Sequence, residues 1–406
     1  MPLEPALAFF QPIIDKKVLE ITLEPRACEC CGGIDLEQVW SSQSIVARAR
    51  NTWRFPFRVA VCRNCGFCFA SPGPRRADLA RYHAEGLAGH KEIGLPYSVD
   101  ARMAVLERYS VPHGVFAEIG GDQPGEFHRR CAPLFGKQLV VEISEDTPAE
   151  LRSVHDLAEN SVDVLAHYDV LEHVADVKDF LAACHRALQP GGVMICEVPD
   201  LRLYPRNLLL LEFEHVNHFS ATTLNAIAQQ VGFNLVELGH TCSRPYGFLS
   251  VFRKESVQAV RSVDSRCEFI DALACVRGGI EQIQRTEVQI DALRLRLATM
   301  GAERKKITLW AITDLMRRLL ANFTLPETAI VVDSDPRRKD HLAQDGVLVS
   351  EPKNCIEHIA QSELLVICAA RYKSGILDWV ARETGKTFFA DELVVLGAGP
   401  SGETLT

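Results

Sequence analysis

The pattern of apolar and polar residues changes period several times along this chain, and each change predicts a different element. The run WRFPFRVAVC (53–62) alternates apolar with polar positions, as a half-buried strand does. From about Val115, apolar runs alternate with amphipathic ones: GVFAEIG, a helix through Phe127, Cys131, Leu134 and Phe135, then LVVEI, SVDVLAHYDV and GGVMICEVPD. Such alternation predicts a doubly wound α/β sheet with its ligand site at the carboxyl ends of the strands. Residues 256–305 contain no proline, and Ile280, Ile283, Ile290, Leu293 and Leu297 recur on one helical face, which predicts a long amphipathic helix. Glu287 and Arg294 interrupt its a/d seam, so covering a core is expected ahead of a coiled-coil homodimer. A second alternating unit follows: KITLW, a helix through Leu315, Leu319 and Leu320, AIVVDSD, another helix and LLVICAA.

At 406 residues the chain is too long for one hydrophobic core, because single cores stop growing near roughly 250 to 300 residues. The expected division is an N-terminal extension and metal module (1–85), the first α/β domain (86–255), the helical linker (256–305) and the second α/β domain (306–406). Hydrophobic residues at 47% and charged residues at 24% are ordinary for globular domains. A net charge of -9 and a pI near 5.8 set nucleic acid aside as a partner. Arg48, Arg50, Arg54, Arg58 and Arg63 form only a modest basic cluster near the cysteines. No window reaches the roughly 18 uninterrupted apolar residues of a membrane span. The start, MPLEPALAFFQPIIDKK, lacks a basic segment before its apolar stretch, so a cytoplasmic protein without a membrane partner is expected.

The fourteen cysteines do not read as a disulfide framework, since they lie as clustered pairs near the N-terminus and singly inside apolar runs elsewhere. Cys28 and Cys31 (CECCGG) and, after 30 intervening residues, Cys62 and Cys65 (CRNCG) form two C-x-x-C-G knuckles. Together they offer four thiolates, the donor set of a structural Zn2+ site with no position left for water. Cys30 and Cys68 are spare. With the strand between the knuckles, the module reads as a zinc ribbon.

The turn after GVFAEIG contains Gly120, Gly121, Asp122, Gln123, Pro124 and Gly125, a candidate nucleoside-binding loop that includes Glu118. Glu142 closes LVVEI, 22 residues beyond Gly120, where a carboxylate can accept both ribose hydroxyl protons. Next comes SVDVLAHYDVLEHVADVKDFLAACHRALQPGGVMICEVPD. With Asp163, Leu171 to Val174 and Pro190 to Gly192, this block resembles the fourth-to-fifth-strand segment of class I S-adenosylmethionine-dependent methyltransferases. The following FEHVNHFSATTLNAIAQQVGFNLVEL is similar to the corresponding segment of zinc-containing sugar C-methyltransferases, whose module order this chain shares over roughly residues 26 to 390.

That resemblance implies a Rossmann-like methyltransferase sheet, a second Rossmann-like domain, S-adenosylmethionine as cofactor and a small-molecule substrate such as a nucleotide-linked sugar. It also implies roles for His173 in LEHV and His215 in FEHVNHFS: His215 would remove the acceptor's proton and Glu214 would orient it. Asp156 would follow the third strand and face the adenine amine. Only 20 residues separate Glu142 from Asp163, so the helix between them is expected to shrink to a turn or two.

The chain departs from the family in three places. Asp122 and Pro124 stand where small residues are wanted, Glu212 replaces a tyrosine, and SRPYGF replaces a glycine-rich segment. These motivate an alternative reading, a catalytically silent methyltransferase-like binding or scaffold protein. In the second α/β unit, WAITD lacks the glycine that a pyrophosphate needs, although Asp333 sits at a strand tip. Gly397, Gly399 and Gly402 match G-x-G-x-x-G, but only four residues follow, too few for the helix that would hold a phosphate.

Overall fold

The computed structural model describes residues 17–48, 50–85, 97–121, 125–206, 211, 214–239, 243–244, 246–255, 265–321, 323–335 and 347–397. These form two compact units that divide near residue 280.

The first unit opens with β1 (Val18–Glu20), β2 (Leu23–Glu24), β3 (Leu36–Ala47), β4 (Thr52–Cys62), β5 (Cys68–Ala70) and β6 (Gly73–Pro74). β3 and β4 make a long antiparallel hairpin whose register runs from Leu36–Cys62 to Ala47–Thr52. The alternation read in the sequence holds: Trp53, Phe55, Phe57, Val59 and Val61 are buried while Arg54 and Arg58 face water. Two helices follow, α1 (Arg76–Ala84) and α2 (Val99–Tyr109).

Next come β7 (Val115–Ile119), α3 (Glu126–Cys131), β8 (Lys137–Val141), β9 (Val162–Tyr168), α4 (Val177–Ala187), β10 (Leu188–Pro199), β11 (Asn217–His218), α5 (Ala221–Gln230), β12 (Phe233–Gly239) and β13 (Gly247–Lys254). Six of these strands form one sheet in the order β12-β13-β10-β9-β7-β8, parallel except for β13, which runs against both of its neighbours. Alternate residues serve opposite faces. Leu165, Met194 and Cys196 pack with Leu181, Cys184, Leu224 and Ile227 of α4 and α5. Val164, Ala166 and Ile195 pack with Met103, Leu106 and Phe127 of α2 and α3.

The third strand expected between Glu142 and Asp163 is reduced, among the described residues, to one bridge between Val141 and Leu151. The short span between Glu142 and Asp163 leaves room only for this bridge and a single turn, Val154–Asp156. The backbone left open along β8 is satisfied locally: Val140 N–H donates to Glu150 Oε2 at 2.8 Å, and Leu151 N–H donates to the Val140 carbonyl at 3.2 Å. A sheet edge closed this way does not need the missing strand.

Helix α6 (Ser265–Ala302) is the long helix that the period predicted. Its residues 281–302 belong to the second unit, with β14 (Ile307–Trp310), α7 (Asp314–Leu320), β15 (Ala329–Val332), β16 (Val349–Ser350), α8 (Ile356–Gln361), β17 (Leu364–Ile367), α9 (Lys373–Thr384) and β18 (Leu393–Val395). The strands form a parallel sheet in the order β16-β15-β14-β17-β18. Ile290, Leu293 and Leu297 join the core of this unit. The polar interruptions of the seam are engaged there too. Glu287 pairs with Arg318 at 2.6 Å, and Arg294 Nε donates to the Leu319 carbonyl at 3.0 Å. At the tip of β15, Asp333 accepts the backbone N–H of Ile312 at 2.7 Å and of Asp335 at 2.8 Å, which ties two turns together. Gly399 and Gly402 of the C-terminal glycine motif lie outside the described residues.

Candidate functional site

The cysteine pairs converge as their spacing requires. Each knuckle is closed by a backbone bond from its glycine, Gly32 N–H to the Cys28 carbonyl at 2.7 Å and Gly66 N–H to the Cys62 carbonyl at 2.9 Å. Both glycines have φ near +75°, which favours glycine, and a Cβ at Gly66 would also fall 2.5 Å from the backbone of Glu268. The Sγ atoms of Cys28, Cys31, Cys62 and Cys65 all lie within 4.8 Å of one another, with Cys28–Cys65 and Cys31–Cys62 at 3.5 Å. A tetrahedral zinc with Zn–S bonds near 2.3 Å separates its sulfurs by about 3.8 Å, so the donor set fits that ion. Cys30 and Cys68 are buried outside this group of four.

The knuckles also hold the sheet domain. Glu29 accepts the N–H of Lys178 in the first turn of α4 at 2.9 Å, and Gln230 of α5 donates to the Cys30 carbonyl at 2.7 Å. β5, which begins three residues after Cys65, pairs with β11, placing Asn217 opposite Phe69 and His218 opposite Cys68. Arg26 secures the same segment, donating to the Val216 carbonyl at 3.1 Å and to Asn217 Oδ1 at 2.7 Å.

At the carboxyl end of β7, Gly120 takes φ +74° and leaves no room for a Cβ, which would meet Val170 Cγ2 at 2.5 Å. A Cβ on Gly121 would press on the carboxylate of buried Glu118 at 2.9 Å. Gly125 caps α3. Asp122, Gln123 and Pro124 lie outside the described residues. The Tyr168 hydroxyl is buried without a partner in the field of Glu118, Glu197 and Arg102, whose guanidinium lies 3.8 Å from the Tyr168 ring centre. An orphaned hydroxyl among charges of both signs beside a glycine turn suits the zwitterionic methionine end of the cofactor. Glu142 stands half-buried at the tip of β8 and accepts Ser144 N–H at 2.7 Å. Asp156 is placed otherwise than expected. It follows no third strand, and its carboxylate accepts Ser153 N–H at 3.0 Å within its own turn.

The histidines form a second group, where the turn after β9 meets the segment before β11. Val216 N–H donates to the Glu172 carbonyl at 2.8 Å, and the Asn217 amide donates to the Leu171 and Val174 carbonyls at 3.1 and 2.7 Å. The rings of His173 and His215 lie 4.9 Å apart, and His83 of α1 lies 5.5 Å from His173. Glu214 is not aimed as expected. Its carboxylate accepts Arg48 at 2.9 Å and the Tyr82 hydroxyl, and it is the Glu214 carbonyl that orients a histidine, His173, through Nδ1 at 3.0 Å. Burial works against the Glu214 charge, but Arg48, His173, His83 and Tyr82 outweigh it and hold its pKa near 2. Burial, reinforced by neighbouring His83, lowers His173 to about 4 and keeps it neutral at pH 7.

The sequence reading names Arg48 only within a modest basic cluster and omits Tyr82 and His83, because all three lie in the segment read as a metal module. The polar-aromatic pair Tyr82-His83 on a helix was the available signal. Glu214→Gln should cost about 3 kcal/mol in urea-denaturation stability at pH 7, since the Arg48 guanidinium would then face a neutral amide in a buried setting.

A family profile described as a methyltransferase domain matches residues 56–238. Residues 56–238 thus match a methyltransferase domain. A Mycolicibacterium smegmatis protein named a probable S-adenosylmethionine-dependent methyltransferase is 31% identical over 96 residues, covering 23% of this chain and 36% of that protein. A ubiquinone biosynthesis O-methyltransferase of Cereibacter sphaeroides is 36% identical over 81 residues, covering 20% of this chain and 32% of its own length. The chain thus spans about a third of the length of the curated relatives it matches. A solved S-adenosylmethionine dependent methyltransferase from Mesorhizobium loti aligns with 39% of this chain and all of its own at 17% identity and TM-score 0.32.

In this methyltransferase domain the structure brings Glu118, Gly120 and Gly121 to one strand tip and places Glu142 at the tip of the adjacent strand. It brings His173, His215 and the Glu214 backbone together in a separate group. Among the described residues, no helix is long and apolar enough to cross a membrane.

Proposed function

We propose that this chain transfers a methyl group from S-adenosylmethionine to a small molecule, a nucleotide-linked sugar or a related metabolite, bound at the His173–His215 group. The observation that carries this reading is the zipper between residues 171–174 and 214–217, which presents two imidazoles beside a methyltransferase sheet. When bound, S-adenosylmethionine supplies an electrophilic methyl on a sulfonium. The residues around it need only align the acceptor and remove its proton.

Glu142 holds the ribose hydroxyls, and Glu118, Gly120, Gly121 and Gly125 shape the loop for the methionine end. The adenine end lacks a third strand, so less of the cofactor's binding energy comes from that side. His215 takes the acceptor's proton. His173, oriented by the Glu214 carbonyl, meets the His215 ring edge to face, and Tyr82 with Arg48 fixes the Glu214 segment. In this reading Zn2+ at Cys28, Cys31, Cys62 and Cys65 is structural, and the second unit is a Rossmann-like domain that offers no pyrophosphate turn.

Calorimetric titration of the zinc-loaded protein with S-adenosylhomocysteine tests this directly. Micromolar binding is expected, with loss of at least tenfold in affinity in Glu142→Ala. If neither the cofactor nor its product binds, the alternative of a catalytically silent binding or scaffold protein replaces this reading.

A further inference from the structure

Glu172 is 1% exposed, and neither of its carboxylate oxygens has a hydrogen-bond partner among the described residues. Its Oε1 lies 4.0 Å from His173 Nε2. That nitrogen carries a lone pair and no proton. His173 Nδ1 faces the Glu214 carbonyl, which can only accept, so Nδ1 holds the proton of the neutral ring. A lone pair and an unpartnered carboxylate therefore face one another in a buried space. A nitrogen of His215 completes the group, and the three candidate ligand atoms lie within 4.8 Å of one another.

We propose that Glu172, His173 and His215 bind a divalent first-row transition ion such as zinc, manganese or cobalt. Two imidazoles and one carboxylate suit ions of intermediate softness, and three protein ligands leave positions open for an acceptor oxygen. The outer support that metal-bound histidines require is in place, with His173 Nδ1–H on the Glu214 carbonyl and the Glu172 carbonyl held by Val216 N–H. With ligand bonds near 2.1 Å, the three atoms would close from within 4.8 Å to about 3.4 Å of one another.

The site deepens the function proposed above and relies on it only in placing the acceptor here. With the ion bound, His215 serves as a ligand in place of its role as base, and the cation lowers the pKa of the coordinated acceptor O–H so that its proton passes to solvent water before methyl transfer.

The test uses the full-length protein, equilibrated with excess Zn2+, Co2+ or Mn2+, desalted and analysed for metal by mass spectrometry. Wild-type protein should retain two equivalents of Zn2+, one on the four cysteines and one here, whereas the near-isosteric Glu172→Gln and His215→Asn should each retain one. Cobalt in this second site should lack the thiolate charge-transfer bands of the cysteine site. One equivalent in the wild type overturns the assignment. So does a second equivalent that survives in both variants, which would leave a proton on Glu172 as the resolution of its burial. S-adenosylhomocysteine titration of the same samples separates the two ideas. Binding of the nucleoside with a single metal equivalent overturns only the metal site, and two equivalents without nucleoside binding overturns only the methyl transfer.

Discussion

Replacing Cys62 with serine, or stripping the zinc proposed at the four cysteines, should dismantle the histidine group about as completely as deleting its own residues. Cys62 ends β4 and Cys65 lies three residues before β5, and β5 is the strand on which β11 is registered. Ala70 N–H donates to the Val216 carbonyl at 2.9 Å, and Arg26, two residues before Cys28, holds Val216 and Asn217. His215 sits immediately before these anchors. A four-thiolate zinc contributes on the order of 10 kcal/mol to folding small modules, far more than the hairpin could recover from its other contacts. Methyl transfer is expected to fall at least a hundredfold in Cys62→Ser, with amide exchange at residues 214–218 rising to that of unprotected backbone. The face of the sheet under α2 and α3 should keep its protection, because its core contains no residue of the knuckles, whereas the face under α4 and α5 shares its core with Cys28, Cys62 and Cys65. Protected amides at 214–218 in zinc-free protein would show that the segment holds its shape without the module.

A steep loss of stability in mild acid is the second large effect. Burial lowers His83 and His173 to about 4 and His167 to about 3, and it takes His218 well below 6.5. Each folded pKa lies below the 6.5 of an unfolded imidazole, so the unfolded chain takes up protons that the folded chain refuses. The stability these groups confer is complete above pH 6.5 and is lost as the pH falls through 6.5 toward 4. Glu214 extends the decline below 4.5 toward its folded value near 2, where its ion pair with Arg48 is protonated away. Between pH 6.5 and 5 a neutral-only histidine costs about 2 kcal/mol, at about 1.4 kcal/mol per pH unit. Urea denaturation at pH 7.5 and 5.0 should therefore show lower stability in acid in the wild type, by the histidine contribution less the opposing one of Glu172, Glu197 and Asp169, whose pKa values burial raises. His167→Leu, at a fully buried position with no hydrogen-bonded nitrogen, should narrow it by about 2 kcal/mol. An unchanged difference in that variant would mean that His167 titrates normally in the folded protein.

Much of the architecture was legible in the amino-acid order because local physics sets it. The 3.6-residue recurrence of Ile290, Leu293 and Leu297 gave the long helix, and the alternation of Phe55, Phe57 and Val59 with Arg54 and Arg58 gave β4. The four cysteines were legible because two sulfurs on one tight turn are a local property, and Gly32 and Gly66 supply the positive φ that each turn needs. The short span before Asp163 correctly foretold a trimmed helix. It did not reveal that the third strand would go with it and leave Asp156 capping its own turn.

The orientation of side chains across long separations was not legible. Glu214 reads as a partner for the adjacent His215, yet 166 residues of chain separate it from Arg48, and 132 from Tyr82, which claim its carboxylate. A carboxylate turns toward the strongest donors within reach, and tertiary packing decides which those are. Periodicity and spacing act between near neighbours, and they settle which segments are strands and helices and where four thiolates gather, while the methyltransferase pattern rests on a resemblance. Long-range packing settles that the cysteine knuckles hold β11, that Glu172 faces Nε2 of His173, and that Arg48 and Tyr82 share Glu214. Those contacts join segments that the chain itself keeps far apart.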